Sequence, residues 1–222
     1  MIGQFLPVAV GIAVSPLPIV AVVLMLATPR GRVNGPAFVL AWIVGLAVVT
    51  TAVVLLAGDD ATDDAGAPAT WVSWLELVLG LGLLLVAARQ FRGRPHGGGE
   101  ASLPKWMAAL DGFGAGKAAG AGVVLSAANP KNLLLAVAGG AIIAQGALSG
   151  GAEAGAIAVF VLIGTIGVAA PVVLYFALGA RAGEVLDALR GWMARNNAVI
   201  MAVLLLVIGV KLIGDAISGF AA

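Results

Sequence analysis

Six stretches of this chain, near 3–27, 35–58, 71–90, 119–145, 154–179 and 198–219, are long and almost free of charge. A helix needs about 20 mostly apolar residues to cross the hydrocarbon core of a bilayer, and each stretch meets that length. Backbone polar groups in hydrocarbon must bond internally, so only helices and closed barrels span a membrane. Barrels are built from short alternating segments, whereas these are continuous apolar runs. The chain therefore predicts an all-α polytopic membrane protein with six transmembrane helices. Composition agrees: 10% of the 222 residues are charged, well below the roughly 25% of a soluble domain.

Several functions drop out on residue types alone. There is no cysteine, which excludes disulfides, thiolate metal sites and thiol-redox relays. His96 is the single histidine and lies in a Gly-rich stretch, so neither a multi-histidine metal site nor a serine–histidine pair can form. No metal, no cofactor and no enzymatic activity are expected. The net charge is +1 with no long basic run, which argues against nucleic acid. The opening MIGQFLPVAV lacks the positive n-region of a signal peptide and is expected to stay as a membrane segment.

The connections alternate in charge. Arg30 and Arg32 follow the first helix, Arg89, Arg92, Arg94, Lys105 and Lys117 surround the long central connection, and Arg181, Arg190 and Arg195 precede the last helix. The other two connections carry Asp59, Asp60, Asp63 and Asp64, and Glu153. Lys and Arg mark the cytoplasmic side. Ten of the twelve basic residues fall there if both termini are outside; the remaining two, Lys131 and Lys211, lie within helices. The bacterial cytoplasmic membrane is the expected location. Trp71 and Trp74 suit the outer interface and Trp192 the inner one.

The central connection divides the chain into a first three-helix repeat (1–90), a cytoplasmic linker (91–118) and a second repeat (119–222). The linker begins as flexible RGRPHGGGE, and Pro104 to Leu110 suit either a short interfacial helix anchored by Trp106 or a solvated linker. GIAVSPLPIVAVVL at 11–24 resembles GVVLSAANPKNLLL at 122–135, pairing Gly11 with Gly122, Ser15 with Ser126 and Pro18 nearly with Pro130. Phe38 to Gly45 resembles Phe160 to Gly167, and Gly80 pairs with Gly209. Three helices per half force the halves into opposite orientations, the inverted-repeat plan of many secondary transporters.

Prolines mark where helices one and four should break. Pro130 has no N–H and strains the turn before it, so the carbonyl of Ser126 should lose its helical donor. Asn129, preceding proline, is biased away from helical geometry. A half-helix starting near Lys131 would present free N–H groups and a positive dipole end at mid-membrane. A lysine at that depth costs roughly 3 kcal/mol on insertion scales, which points to a substrate or coupling role for Lys131 or to a lysine bonding broken-helix carbonyls. In the first helix Ser15-Pro16-Leu17-Pro18 frees the carbonyls of Ile12 and Val14, and a second half-helix should start near Pro18. If the breaks meet, Ser15, Pro16, Pro18, Ser126, Asn129, Pro130, Lys131 and Asn132 surround one site that favours a carboxylate, phosphate or sulfate. Simple kinks in a packed bundle are the alternative.

Other membrane-embedded polar residues are secondary candidates. Glu76, one turn inside the third helix, can snorkel to water or carry protons. Lys211 and Asp215, four apart, can pair with each other. Pro171 suggests a hinge or a fixed kink, and Gly139, Gly140, Gly164 and Gly167 suggest close helix packing. The four aspartates at 59–64 suit a solvated acidic loop better than a cation site.

The segments SPLPIVAVVLMLATPRGRVNGPAFVLAWIVG at 15–45 and NPKNLLLAVAGG at 129–140 resemble the GAP family. These are the glycolipid- or sulfolipid-addressing (Sap-like) proteins of actinobacteria, within the lysine exporter (LysE) superfamily. The resemblance implies six helices in two inverted repeats and export of lipid-linked or amphiphilic products to the cell envelope. It also carries a site role onto Pro16, Pro18, Asn129, Pro130 and Lys131. The amino-acid exporters of the superfamily usually show Pro-Gly-Pro in the first helix; here the sequence is Pro16-Leu17-Pro18, without the glycine.

The leading expectation is thus a secondary exporter of an anionic lipid, glycolipid or amphiphile, working by alternating access and coupled to protons. No nucleotide-binding GxxxxGK[ST] motif is present to supply ATP energy. Export of amino acids or similar small solutes is one alternative. A non-transporting membrane subunit of a lipid synthesis or export assembly, docking through 91–118, is another. Expected partners are membrane lipids, the substrate, lipid synthesis or export proteins, and a second copy in a homodimer that the small-residue helix faces would permit.

Overall fold

The computed structural model describes residues 2–57, 70–92, 112–146 and 148–221, and among them only helices and short connections occur. The acidic segment 59–69 and the stretch 93–111, with His96, Trp106 and the Pro104–Leu110 segment, lie outside the described residues. The helices are α1 (Ile2–Ala13), α2 (Pro16–Leu26), α3 (Gly31–Ala57), α4 (Thr70–Arg92), α5 (Ala115–Val123), α6 (Pro130–Ala144), α7 (Gly150–Leu178) and α8 (Ala182–Ala221). A π-helical turn, Val124–Ala128, joins α5 to the break before α6.

Four helical stretches are long and apolar enough to cross a membrane alone: Gly31–Ala57, Thr70–Arg92, Gly150–Leu178 and Val199–Ala221. Two more spans arise if each bent pair counts as one, α1 with α2 at 47° and the α5 segment with α6 at 60°. The chain is therefore a membrane protein of four to six helical spans, and both bends fall at the prolines.

One expectation is corrected at the last connection. The segment 180–197 is not a loop but mostly helix, continuous with the final span in a 40-residue α8. At 1.5 Å per residue α8 is about 60 Å long, twice the hydrocarbon thickness of about 30 Å. Its first part, carrying exposed Glu184, Asp187, Trp192 and Arg195, thus extends beyond the membrane. It contains no proline, and its single glycines do not end it. Pro171, likewise, lies within an uninterrupted α7.

The packing crosses between the two halves. α3 lies along α5, the π-helical turn and α6, while α7 lies along α1 and α2; α4 packs most extensively along α8. Small residues set these approaches. A β-carbon on Gly45 of α3 would meet the Ser126 hydroxyl beside the second break. A β-carbon on Gly167 of α7 would meet the Ala13 carbonyl oxygen at the first break. At the α4–α8 crossing a β-carbon on Gly80 would come within 2.9 Å of the Gly209 carbonyl oxygen, and one on Gly209 within 3.0 Å of that of Gly80. Such glycine contacts let backbones close up where lipid supplies no hydrophobic drive.

The two ends of the bundle differ. Gly3, Gln4, Glu76, Gln145, Asp215 and Ser218 gather at one end, from the starts of α1 and α4 and the ends of α6 and α8. At the other, the Asn34 side-chain amide donates to the Phe113 carbonyl at 2.9 Å, tying the start of α3 to the start of α5. The exposed Arg30, Arg32, Arg89, Arg92 and Lys117 belong to the helix ends of that second group.

Candidate functional site

Both breaks are built by proline before a new helix. Ser15 is extended (φ −69°, ψ 106°), and α2 begins at Pro16 rather than Pro18. Asn129 is extended (φ −67°, ψ 118°), as its place before proline requires, and α6 begins at Pro130. The Asn129 side-chain oxygen accepts the Lys131 backbone N–H at 3.1 Å, capping the helix. With its oxygen so used, the Asn129 side chain keeps its amide N–H groups as donors.

The carbonyls left over at the breaks include ones that local reasoning did not single out. The Ile12 carbonyl accepts the Ser15 N–H at 3.1 Å in a tightened last turn. Since Ser15 N–H is thereby used, the Gly11 carbonyl lacks its helical donor, and the Lys131 ammonium donates to it at 3.1 Å. Lys131 is thus a clamp between the two breaks as well as a charge. At the second break the π-helical turn also leaves the Leu125 carbonyl without a helical donor, and it accepts the Asn132 side-chain amide at 2.8 Å. In a π-turn that carbonyl would look five residues on, to Pro130, which has no N–H. Replacing Asn132 by leucine removes the donor and leaves the carbonyl buried, and should lower stability by about 1–2 kcal/mol. Thermal unfolding in detergent measures this; an unchanged melting temperature would refute the role given to Asn132.

The two breaks meet. Ser15, Pro16 and Leu17 from the first, and Asn129, Pro130 and Lys131 from the second, line one cleft of about 360 Å³. Its remaining wall is Val86 and Gln90 of α4 with Met201 and Leu205 of α8. Gln90 stands near the end of α4 beside Arg89 and Arg92, so the cleft runs from the breaks toward the basic end. Of the expected residues, Pro18, Ser126 and Asn132 stand behind it: all three are buried, and Ser126 donates to the Val123 carbonyl at 3.1 Å.

Electrostatically the cleft has one positive group. The Lys131 ammonium has three protons; one meets Gly11, another approaches the Met201 sulfur at 3.4 Å, and the third is uncommitted. Among the described residues the only ion pair is Lys211–Asp215, so none of their carboxylates neutralises Lys131. The half-helix N-termini add less than two free ends would. Prolines occupy two of the first three positions of α2, leaving Leu17 as the N–H donor there. The arrangement offers an anion the ammonium of Lys131, the amide of Asn129 and the N–H of Leu17, beside an apolar wall.

Glu76, Lys211 and Asp215 are not part of this cleft. They line a second one, of about 500 Å³, at the opposite end with Gln4 and Gln145. The Gln145 amide donates to Glu76 at 2.8 Å, and Lys211 pairs with Asp215 as their spacing allows.

A family model described as Sap, sulfolipid-1-addressing protein, matches residues 5–218. The chain belongs to the Sap family. No curated protein and no solved structure matches it. The match takes in both breaks and all the helices of this Sap-family protein. Gly11, Val86, Gln90, Met201 and Leu205 were missed as site residues from sequence. Four of them carry no local signal, being ordinary residues on apolar helices. Gly11 did carry one, its place opposite Gly122 in the repeat.

Proposed function

We propose that this Sap-family protein is a secondary exporter of an anionic lipid, glycolipid or related amphiphile toward the cell envelope. One observation carries the reading: two proline-broken spans bring a lysine, with no carboxylate partner among the described residues, and an apolar wall together in one mid-membrane cleft. Lys131 stands close to mid-height, since the bent α5–α6 segment extends about 20 Å on either side of it. The cleft lies at the low end of the volumes of small-molecule sites, about 300–1,000 Å³. It holds a headgroup, and acyl chains would remain along the helices outside it.

The transport cycle is alternating access around two inverted three-helix repeats. The reading is supported by the exchange of partners: α3 on the second break matches α7 on the first, and Gly80 faces Gly209. The basic end is the cytoplasmic one by the distribution of Lys and Arg, with both termini outside. The cleft therefore opens to the cytoplasm in this conformation and would load there.

Reconstituted vesicles test it. Headgroup-labelled phosphatidylglycerol should cross between leaflets faster with protein than without, and labelled phosphatidylcholine should not. A small anionic solute is the second reading, favoured by the cleft volume alone. Uptake of labelled acidic amino acids with no movement of phosphatidylglycerol would select it. No movement of either would leave the role of a membrane subunit in a lipid synthesis or export assembly.

A further inference from the structure

The second cleft is walled by the same elements as the first. Gln4 comes from α1, Glu76 from α4, Gln145 from the end of α6, and Lys211 and Asp215 from α8. The Lys131 cleft uses the α1–α2 break, α4, α6 and α8. Lys131 and Gln145 are separated by about 21 Å along the helix rise. Between the clefts the bundle is closed by apolar side chains. Leu135 and Ile208 are fully buried and pack onto Gly11, where a β-carbon would meet them at 3.3 and 2.6 Å. Two clefts thus approach this apolar layer from opposite ends.

Glu76 is the unusual group in the outer cleft. It is 2% exposed on a membrane-spanning helix, and the hydrogen bond to it comes from the neutral Gln145 amide. The nearby cation, Lys211, is bonded to Asp215 instead. Both interact with Glu76 electrostatically across the cleft. No other charged side chain lines the cleft among the described residues; α1 contributes Gln4 and α6 contributes Gln145, both neutral. The aspartates at 59, 60, 63 and 64 lie outside the described residues. An ionised carboxylate so buried, without a cation on it, is costly in a membrane interior, and such residues mark ion pathways and proton relays. Asp215 differs, being held by its lysine and 40% exposed.

We propose that the outer cleft is a proton-binding site that drives export, with Glu76 as the group that takes the proton from the outer aqueous side. This rests on the exporter reading above. The step is an acid–base one: a proton from outer water joins the free oxygen of the Glu76 carboxylate, while the other oxygen keeps its bond from Gln145. With Glu76 neutral, Lys211 remains on Asp215, the arrangement seen here. With Glu76 ionised, Lys211 is drawn from Asp215 on α8 toward α4. The α4–α8 backbones approach closely at Gly80 and Gly209, one turn from Glu76 and beside Lys211, with Ile213 of α8 packed onto Gly80 and Leu84 of α4 onto Gly209, so the two helices are coupled there. The same two helices carry Val86, Gln90, Met201 and Leu205 into the Lys131 cleft. A change of charge at one end therefore acts on the wall of the other through two rigid elements.

The test has two readouts. Infrared difference spectra of the protein in phosphatidylcholine vesicles, titrated from acid to alkaline, should show a carboxyl band that disappears in E76Q and moves in Q145L, which removes the amide donor. Spectra of both variants identical to the wild type would remove the proton site. The second readout is movement of headgroup-labelled phosphatidylglycerol with and without a pH gradient, at zero membrane potential. One proton per lipid supports about a tenfold difference in distribution for each unit of gradient. The ratio of movement with and without the gradient should fall to one in E76Q and should be altered in Q145L. A ratio unchanged in both overturns the coupling. A wild type that moves no lipid overturns the exporter reading and its coupling, and the infrared band then decides the proton site by itself.

Discussion

Lys131→Ala should lose the preference for anionic lipid, its affinity for short-chain phosphatidylglycerol falling about tenfold to a hundredfold while that for phosphatidylcholine hardly changes. The magnitude follows from the chemistry. A hydrogen bond to a charged group contributes about 1.5–3 kcal/mol, and each 1.4 kcal/mol is a factor of ten. Lys131 is the charged residue lining the inner cleft, and the other donors there, Asn129 and Leu17, are neutral. The partly enclosed cleft also limits screening by salt, so the preference should persist at moderate ionic strength. Lys131→Arg keeps the charge and should keep most of the preference, although its planar fork cannot reproduce the bond to Gly11. Titration of short-chain lipids into detergent-purified protein measures all three. Equal discrimination by wild type and Lys131→Ala would move the substrate site away from the breaks.

Gly167→Ala should be among the most damaging single-methyl changes in the chain, and Gly45→Ala much milder. The two glycines hold matching places, each on the middle helix of one half against the break of the other. What a methyl would meet differs. At Gly167 it falls on the carbonyl oxygen of Ala13, which is backbone at the last turn of α1. Backbone can yield only by shifting the break itself, with the Gly11–Lys131 bond two residues away. At Gly45 it falls on the Ser126 hydroxyl. That side chain can rotate, at the loss of its bond to the Val123 carbonyl. Overpacking of a close contact typically costs about 1–3 kcal/mol, with more where nothing can give. Gly167→Ala should therefore exceed that range or prevent stable purification, and Gly45→Ala should stay within its lower half. Thermal unfolding in detergent compares them; equal losses would contradict the distinction between a backbone and a side-chain obstacle.

The places where the sequence could be read are those where local chemistry decides. Apolar length gave the spans, because the solvent of this protein is a bilayer of set thickness. The prolines at 16, 18 and 130 located the breaks, because a missing N–H acts on its own turn whatever surrounds it. The extended Asn129 followed for the same reason. Local reasoning failed at the connection before the last span. The polar residues of 180–197 suggested a loop, but they contain no proline, and the helix runs through Gly183 and Gly191.

The site divides in the same way. Ser15, Pro16, Asn129, Pro130 and Lys131 were legible as a group because they are the breaks. Gly11 as the acceptor of Lys131, and Val86, Gln90, Met201 and Leu205 as the wall, depend on which helices become neighbours. The separation of Glu76, Lys211 and Asp215 into a cleft of their own depends on the same choice.

By itself, then, the sequence determined the membrane environment, the ends of most of the apolar helical stretches, and the positions where two of them break. These are properties of single segments, set by transfer to lipid and by backbone hydrogen bonding. Only the tertiary structure decided that the breaks face each other, that the Gly11 carbonyl and not its neighbours holds the lysine, and that Leu135 and Ile208 close the bundle between two clefts. Those outcomes follow from packing between helices far apart in the chain, where a glycine's missing side chain or a rotated carbonyl selects the partner and no local pattern records the choice.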